Sequence, residues 1–156
     1  MIATGQPQDS TTIRLSHRFT AARSRVFRAW TDPKALQRWF APNPAHSLRT
    51  AEVDLRVGGQ YRIGMGASRD DMAYVTGVFQ EVKPPERLVY TWLWEGVPPE
   101  EGETLVMVEF HDRGNATEVV LTHSRFHDRK ALTNHREGWS GCFDGLAAYL
   151  VGEEEA

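Results

Sequence analysis

The side chains best suited to chemistry at neutral pH gather toward the C-terminal half of this 156-residue chain. His123, His127 and His135, with Asp128 among them, suggest a metal site on residue type alone. Their spacing matches no recurrent zinc motif, and His123 falls in a strand-like stretch while His127 falls in a loop. They read instead as hydrogen-bonding residues, since a buried imidazole needs only a carbonyl or hydroxyl partner. A general base and acid converging on a pocket would have to come from His123, His135, Tyr90 and Tyr74. No nucleophile motif, phosphate loop or paired-carboxylate pattern accompanies them. Cys142 is the single cysteine, so an internal disulfide cannot form, and its apolar neighbours mark it as a small core residue. No metal and no organic cofactor is expected.

Composition narrows the classes further. Hydrophobic residues make up 40% and charged residues 25%, the balance of a globular chain. A net charge of -3 gives no general attraction to phosphate backbones, so nucleic acid is not expected as a partner. No apolar run approaches the ~20 residues that cross a bilayer, and Met1 to Ser10 lacks the basic and apolar regions of a signal peptide. The reading is a cytoplasmic protein with no membrane contact, monomeric or homodimeric.

The elements that must position these residues show in the periodicity. Ile13, Leu15, His17 and Phe19 alternate with polar residues as a first strand. Thr20 reads as the cap of a short helix carrying Val26, Phe27 and Trp30. Asp32-Pro33 closes that helix and opens a second, with Leu36, Trp39 and Phe40 on one face. From Leu48 onward, turn signals at Gly58-Gly59, Arg69-Asp70-Asp71, Pro84-Pro85, Pro98-Pro99 and Gly114-Asn115 separate six strands, near 47–56, 60–66, 73–82, 87–95, 103–112 and 116–124. No long helix alternates with them, so the sheet should be antiparallel. After Asp128 the period changes, and Leu132, His135, Trp139, Cys142, Phe143, Leu146 and Leu150 form the stripe of a long helix. The expectation is one α+β domain over 12–151, a curved antiparallel sheet of about seven strands wrapped around a long C-terminal helix, with two short helices between the first and second strands. Residues 1–11 and 152–156 read as flexible tails.

A curved sheet gripping one helix leaves space for a mostly apolar pocket. On the sheet, Leu88, Tyr90, Trp92 and Trp94 share one face of their strand, Val106, Val108 and Phe110 one face of the next, and Val119, Leu121 and His123 one face of the last. The candidate site is therefore Leu88, Tyr90, Trp92, Val108, Phe110, Leu121 and His123 on the sheet. His135, Trp139, Phe143 and Leu146 face them on the helix, and Trp30, Trp39 and Phe40 stand near the entrance. Gly138, costly inside a helix, points to a close approach of backbone or ligand. Gly58-Gly59 reads as a turn or bulge needing positive φ.

Five segments in order carry a family resemblance over about residues 12 to 151. They are Ala29-Trp30-Thr31-Asp32-Pro33 with Trp39-Phe40-Ala41-Pro42, then Asp54 to Gly59, Pro84 to Trp92, Leu121-Thr122-His123, and His135 to Trp139. The chain resembles the heat-shock-protein ATPase activator-like proteins of the START and birch-pollen-allergen-like helix-grip superfamily. That resemblance implies the helix-grip fold and a hydrophobic cavity but no particular substrate, because members of the superfamily range from lipid carriers and hormone receptors to polyketide cyclases. The expected function is binding or carrying a small hydrophobic molecule between sheet and helix. A cyclase-like or hydrolytic enzyme using a pocket histidine is one alternative. A chaperone-interacting module is another, weakened because the additional N-terminal domain of the eukaryotic activators is not seen here.

Overall fold

Alternating burial along each apolar segment produces the sheet of this computed structural model, which describes residues 11–155. Strand β1 (Ile13–Phe19) is followed by helices α1 (Arg23–Thr31) and α2 (Pro33–Trp39), then strands β2 (Leu48–Val53) and β3 (Gln60–Gly66). Strands β4 (Ala73–Lys83) and β5 (Arg87–Trp94), a single helical turn α3 (Pro99–Gly102), strands β6 (Thr104–Asp112) and β7 (Thr117–Ser124), and the long helix α4 (Arg129–Glu155) complete the chain. The strands lie in the order β1-β7-β6-β5-β4-β3-β2, all antiparallel. The meander from β2 to β7 is thus extended by β1 alongside β7, and the sheet curls around α4 as an α+β helix-grip fold.

Local chemistry explains the boundaries. The Asp32 carboxylate accepts the Lys34 amide at 3.0 Å and Pro33 opens α2, as the sequence pattern indicates. Helix α1 departs from expectation: its N-cap is Ala22, with no side-chain cap, rather than Thr20. Between β2 and β3 the two glycines have separate reasons. Gly58 holds the positive φ of +86°, whereas a Cβ on Gly59 would stand 2.0 Å from the Asp54 carbonyl oxygen. The Pro84-Pro85 peptide is cis. Arg87, which follows it, pairs with Glu81 at 3.2 Å and approaches Glu109 at 4.0 Å.

The core lies between the concave face of the sheet and one stripe of α4. Leu88, Tyr90, Trp92, Val106, Val108, Phe110, Val119, Leu121 and His123 are all buried, so the inward faces are those expected from alternation. On α4, Leu132, Trp139, Cys142, Phe143, Leu146 and Leu150 are buried and His135 is half-buried. Helix α4 runs to Glu155 and so includes most of the expected C-terminal tail; residues 1–10 and 156 lie outside the described residues. Small residues let the helix seat closely. A Cβ on Gly141 would stand 1.9 Å from the Pro42 carbonyl oxygen, and one on Gly145 would stand 2.7 Å from that of Trp39. Among the described residues, no helix is long and apolar enough to cross a membrane.

Candidate functional site

Register places the polar core residues side by side. Trp92 on β5 pairs with Thr104 at the start of β6, and Val106, two residues further along β6, pairs with His123 on β7. From α4, Trp139 reaches across to the same row, and its Nε1 donates to His123 Nδ1 at 3.0 Å. The second imidazole nitrogen lies 2.7 Å from Thr104 Oγ1, which itself donates to the Trp92 carbonyl at 3.3 Å. The donors leave one arrangement: Nδ1 accepts from the indole, so the ring proton sits on Nε2 and is given to the threonine, whose own proton goes to the backbone. His123 is therefore a neutral imidazole with its basic lone pair in use. Burial holds its pKa well below the usual histidine value, and His135 nearby adds to the shift.

His135 forms a matching pair. Its Nδ1 donates to the Ala131 carbonyl at 2.7 Å, one turn back along α4, and its Nε2 accepts from Trp94 Nε1 at 2.9 Å. Burial lowers its pKa, while the carbonyl contact opposes the shift. Neither imidazole offers a free basic nitrogen, and the rings stand edge to face with centroids 5.4 Å apart. His127 is exposed in the loop before α4 and does not join them. Among the described residues, no group of three or more His, Cys, Asp or Glu is placed to hold a metal.

Next to the His135–Trp94 pair lies a cavity of about 220 Å³. Its walls are Met65 of β3, Trp92 and Trp94 of β5, Phe40 and Pro42 after α2, and His135, Gly138, Trp139 and Cys142 of α4, with exposed Asn134 at the edge. Apolar and aromatic surface dominates, and no charged side chain lines it. The Cys142 thiol is pushed up to about 12 by burial, so it is no nucleophile at neutral pH. Trp92 Nε1 is buried and has no hydrogen-bond partner among the described residues.

Of the residues expected at the site, Trp92, His135, Trp139 and Phe40 line this cavity. Trp30, Leu88 and Tyr90, again with Phe40, surround a separate space of only about 20 Å³, and Trp30 Nε1 donates to Tyr90 Oη at 3.2 Å. Burial raises the Tyr90 pKa. Trp39, Val108, Phe110, Leu121, Phe143 and Leu146 are packed in the close core and do not line the cavity, while His123 is wholly buried behind Trp92 and Trp139. Tyr74 lies on the opposite face of the sheet beneath the Arg62 guanidinium, 3.8 Å from its ring centre. Met65, Pro42, Asn134, Gly138, Cys142 and Trp94 complete the walls. The sequence signalled Trp94 by its strand face; it singled out Gly138 as a close approach of backbone or ligand, and although Gly138 does line the cavity, a Cβ there would meet only the Pro42 Cβ at 3.5 Å, an ordinary contact, the close backbone approaches being at Gly141 and Gly145. Met65 and Pro42 carried no signal, because nothing local places them against α4.

The family model described as "Activator of Hsp90 ATPase homolog 1-like protein" matches residues 20–151. No curated protein matches the chain. Among solved structures, it is similar to protein CV1439 from Chromobacterium violaceum, 27% identical with a TM-score of 0.76 over 88% of this chain and 96% of that one. CalU16 from Micromonospora echinospora is 26% identical, with a TM-score of 0.68 over 92% of this chain and 78% of that one. A protein from Arthrobacter aurescens shares the fold at 23% identity, with a TM-score of 0.79 over 94% and 90% of the two chains.

Proposed function

The chain belongs to the Activator of Hsp90 ATPase homolog 1-like family, and on that footing we propose that it binds a small, uncharged, largely apolar molecule in the cavity between β3, β5 and α4. The fold is a ligand-binding one. The observation that carries the reading to this chain is the contrast in its interior: about 220 Å³ of aromatic-walled space at one end, and only about 20 Å³ in the deeper gap between sheet and helix. An engineered apolar cavity of about 150 Å³ holds benzene, and drug-sized ligands occupy roughly 300–1,000 Å³. A guest of one or two fused rings, or a short acyl group, fits between those limits. It would gain about 25 cal/mol for each Å² of apolar area removed from water.

Catalysis by a pocket histidine is disfavoured because both imidazoles accept from an indole. A role in contacting a chaperone rests on the family description alone. The net charge of -3 and the uncharged cavity favour a neutral small molecule over nucleic acid, and we read the protein as cytoplasmic.

Titration with neutral bicyclic compounds and short acyl esters tests the proposal through intrinsic tryptophan fluorescence, since Trp92, Trp94 and Trp139 form the walls. A saturable change is expected for at least one such compound. It should disappear in Gly138→Leu, whose side chain would project from the cavity wall. No saturable response across the panel would overturn the reading.

A further inference from the structure

The unfilled interior is divided in two. Along β3, Tyr61 and Ile63 border the gap of about 20 Å³, and Met65, next on the same face, lines the cavity of about 220 Å³. Along β5, Leu88 and Tyr90 border the gap, and Trp92 and Trp94 line the cavity. The two spaces therefore follow one another over the same stretch of sheet. Of the described residues, Phe40 alone borders both. Its side chain is buried, with its ring centre 5.6 Å from that of Trp139 and 6.3 Å from that of Trp92. The backbone that carries it is pinned. Phe40 ends α2, its amide donating to the Leu36 carbonyl at 2.9 Å, and the flanking carbonyl oxygens of Trp39 and Pro42 lie against Gly145 and Gly141 of α4 so closely that neither glycine has room for a Cβ.

We propose that Phe40 is the inner wall that sets the size of the guest, confining it to the cavity and closing off the gap beside Ile63 and Tyr90. The preferred ligands are then short or compact neutral molecules. This rests on the cavity being a ligand site. The gap has room for about one water and takes no part of a guest while the Phe40 ring stands in place. Each methylene that enters apolar surroundings tightens binding about fourfold, whereas one that finds no room stays in water or strains a packed core. Polar chemistry at the mouth discriminates less. Asn134 is exposed at the cavity's edge, and its amide can serve a donor or an acceptor on the guest.

Methyl esters of straight-chain acids, from butanoate to dodecanoate, measure the length of the site. Calorimetry on the wild-type protein should show affinity rising about fourfold per added methylene among the short esters and levelling off within the series. In Phe40→Ala the short esters should bind no tighter than to wild type, while the rise continues to longer chains. A second readout needs no variant. In methyl-labelled wild-type protein, bound methyl octanoate should give nuclear Overhauser cross-peaks to the Met65 methyl and none to the methyls of Ile63. Cross-peaks to Ile63, or levelling at the same chain length in both proteins, overturn the role of Phe40 and leave the cavity reading standing. A wild-type affinity that rises through the whole series does the same. Binding of no ester also overturns the proposal, and the titration with bicyclic compounds then decides the cavity reading by itself.

Discussion

At the residue scale, the decisive feature is a relay with one allowed direction, from Trp139 N–H to His123, from His123 to Thr104 and from Thr104 to the Trp92 carbonyl. Removing the threonine hydroxyl leaves the His123 Nε2–H buried without an acceptor, and such a group costs about 1–3 kcal/mol. Thr104→Val should therefore lower the unfolding free energy by about that amount, read from a denaturant midpoint, despite its near-equal shape. The same relay sets a pH dependence. Both His123 and His135 have pKa values below the ordinary 6.5, so the unfolded chain takes up protons that the folded chain refuses. Stability from this source is fully present above about pH 6.5 and declines as the pH falls below it toward the folded values. Chemical denaturation between about pH 7.5 and 5.5 should show a falling midpoint on acidification; a flat profile would mean that the imidazoles titrate alike in both states.

At the scale of elements, α4 distinguishes glycines that the sequence presents alike. Gly138 lines the cavity, and a Cβ there would meet only the Pro42 Cβ at 3.5 Å, an ordinary contact. Gly141 sits where the helix touches the Pro42 carbonyl, 1.9 Å from a Cβ built on it. Gly138→Ala should stabilise the domain by about 0.5–1 kcal/mol through helix propensity. Gly141→Ala should destabilise it by about 1–3 kcal/mol, because backbone rather than a movable side chain stands in the way. Thermal unfolding of the two variants, measured side by side, checks the opposite signs. If they shift together, propensity alone decides and the seating of α4 on the Trp39-to-Pro42 segment is looser than the contacts imply.

For the whole molecule, the relevant balance is between packed and open interior. The deep core is filled by Phe110, Leu121, Leu146 and their neighbours, and an apolar cavity of about 220 Å³ is left where α4 crosses the Trp-rich end of β5. A ligand that binds only the folded protein stabilises it by about 2.7 kcal/mol at a hundred times its dissociation constant. For a chain of this size that corresponds to a rise in Tm of about 5–10 °C. Such a shift is expected with a neutral two-ring compound that the cavity accepts and should be absent in Gly138→Leu. A ligand-independent Tm together with an unchanged fluorescence titration would assign the space to imperfect packing.

The sequence by itself determined the number of strands and their succession along the chain, the inward faces of β5, β6 and β7, the capped start of α2 and the buried stripe of α4. These follow from periods of two and of 3.6 residues and from local turn chemistry, which act between near neighbours in the chain. It also supplied Trp92, His135, Trp139 and Phe40 as candidate wall residues, because they lie on those faces. Only tertiary structure decided that Leu88 and Tyr90 surround a nearly filled gap while Trp92 borders a wide one, since periodicity says which way a side chain points and not how much volume its neighbours leave. The pairing of each histidine with a tryptophan N–H was likewise beyond the sequence: it joins residues 16 and 41 positions apart, and depends on how α4 lies across the sheet. That crossing silences both imidazoles as bases.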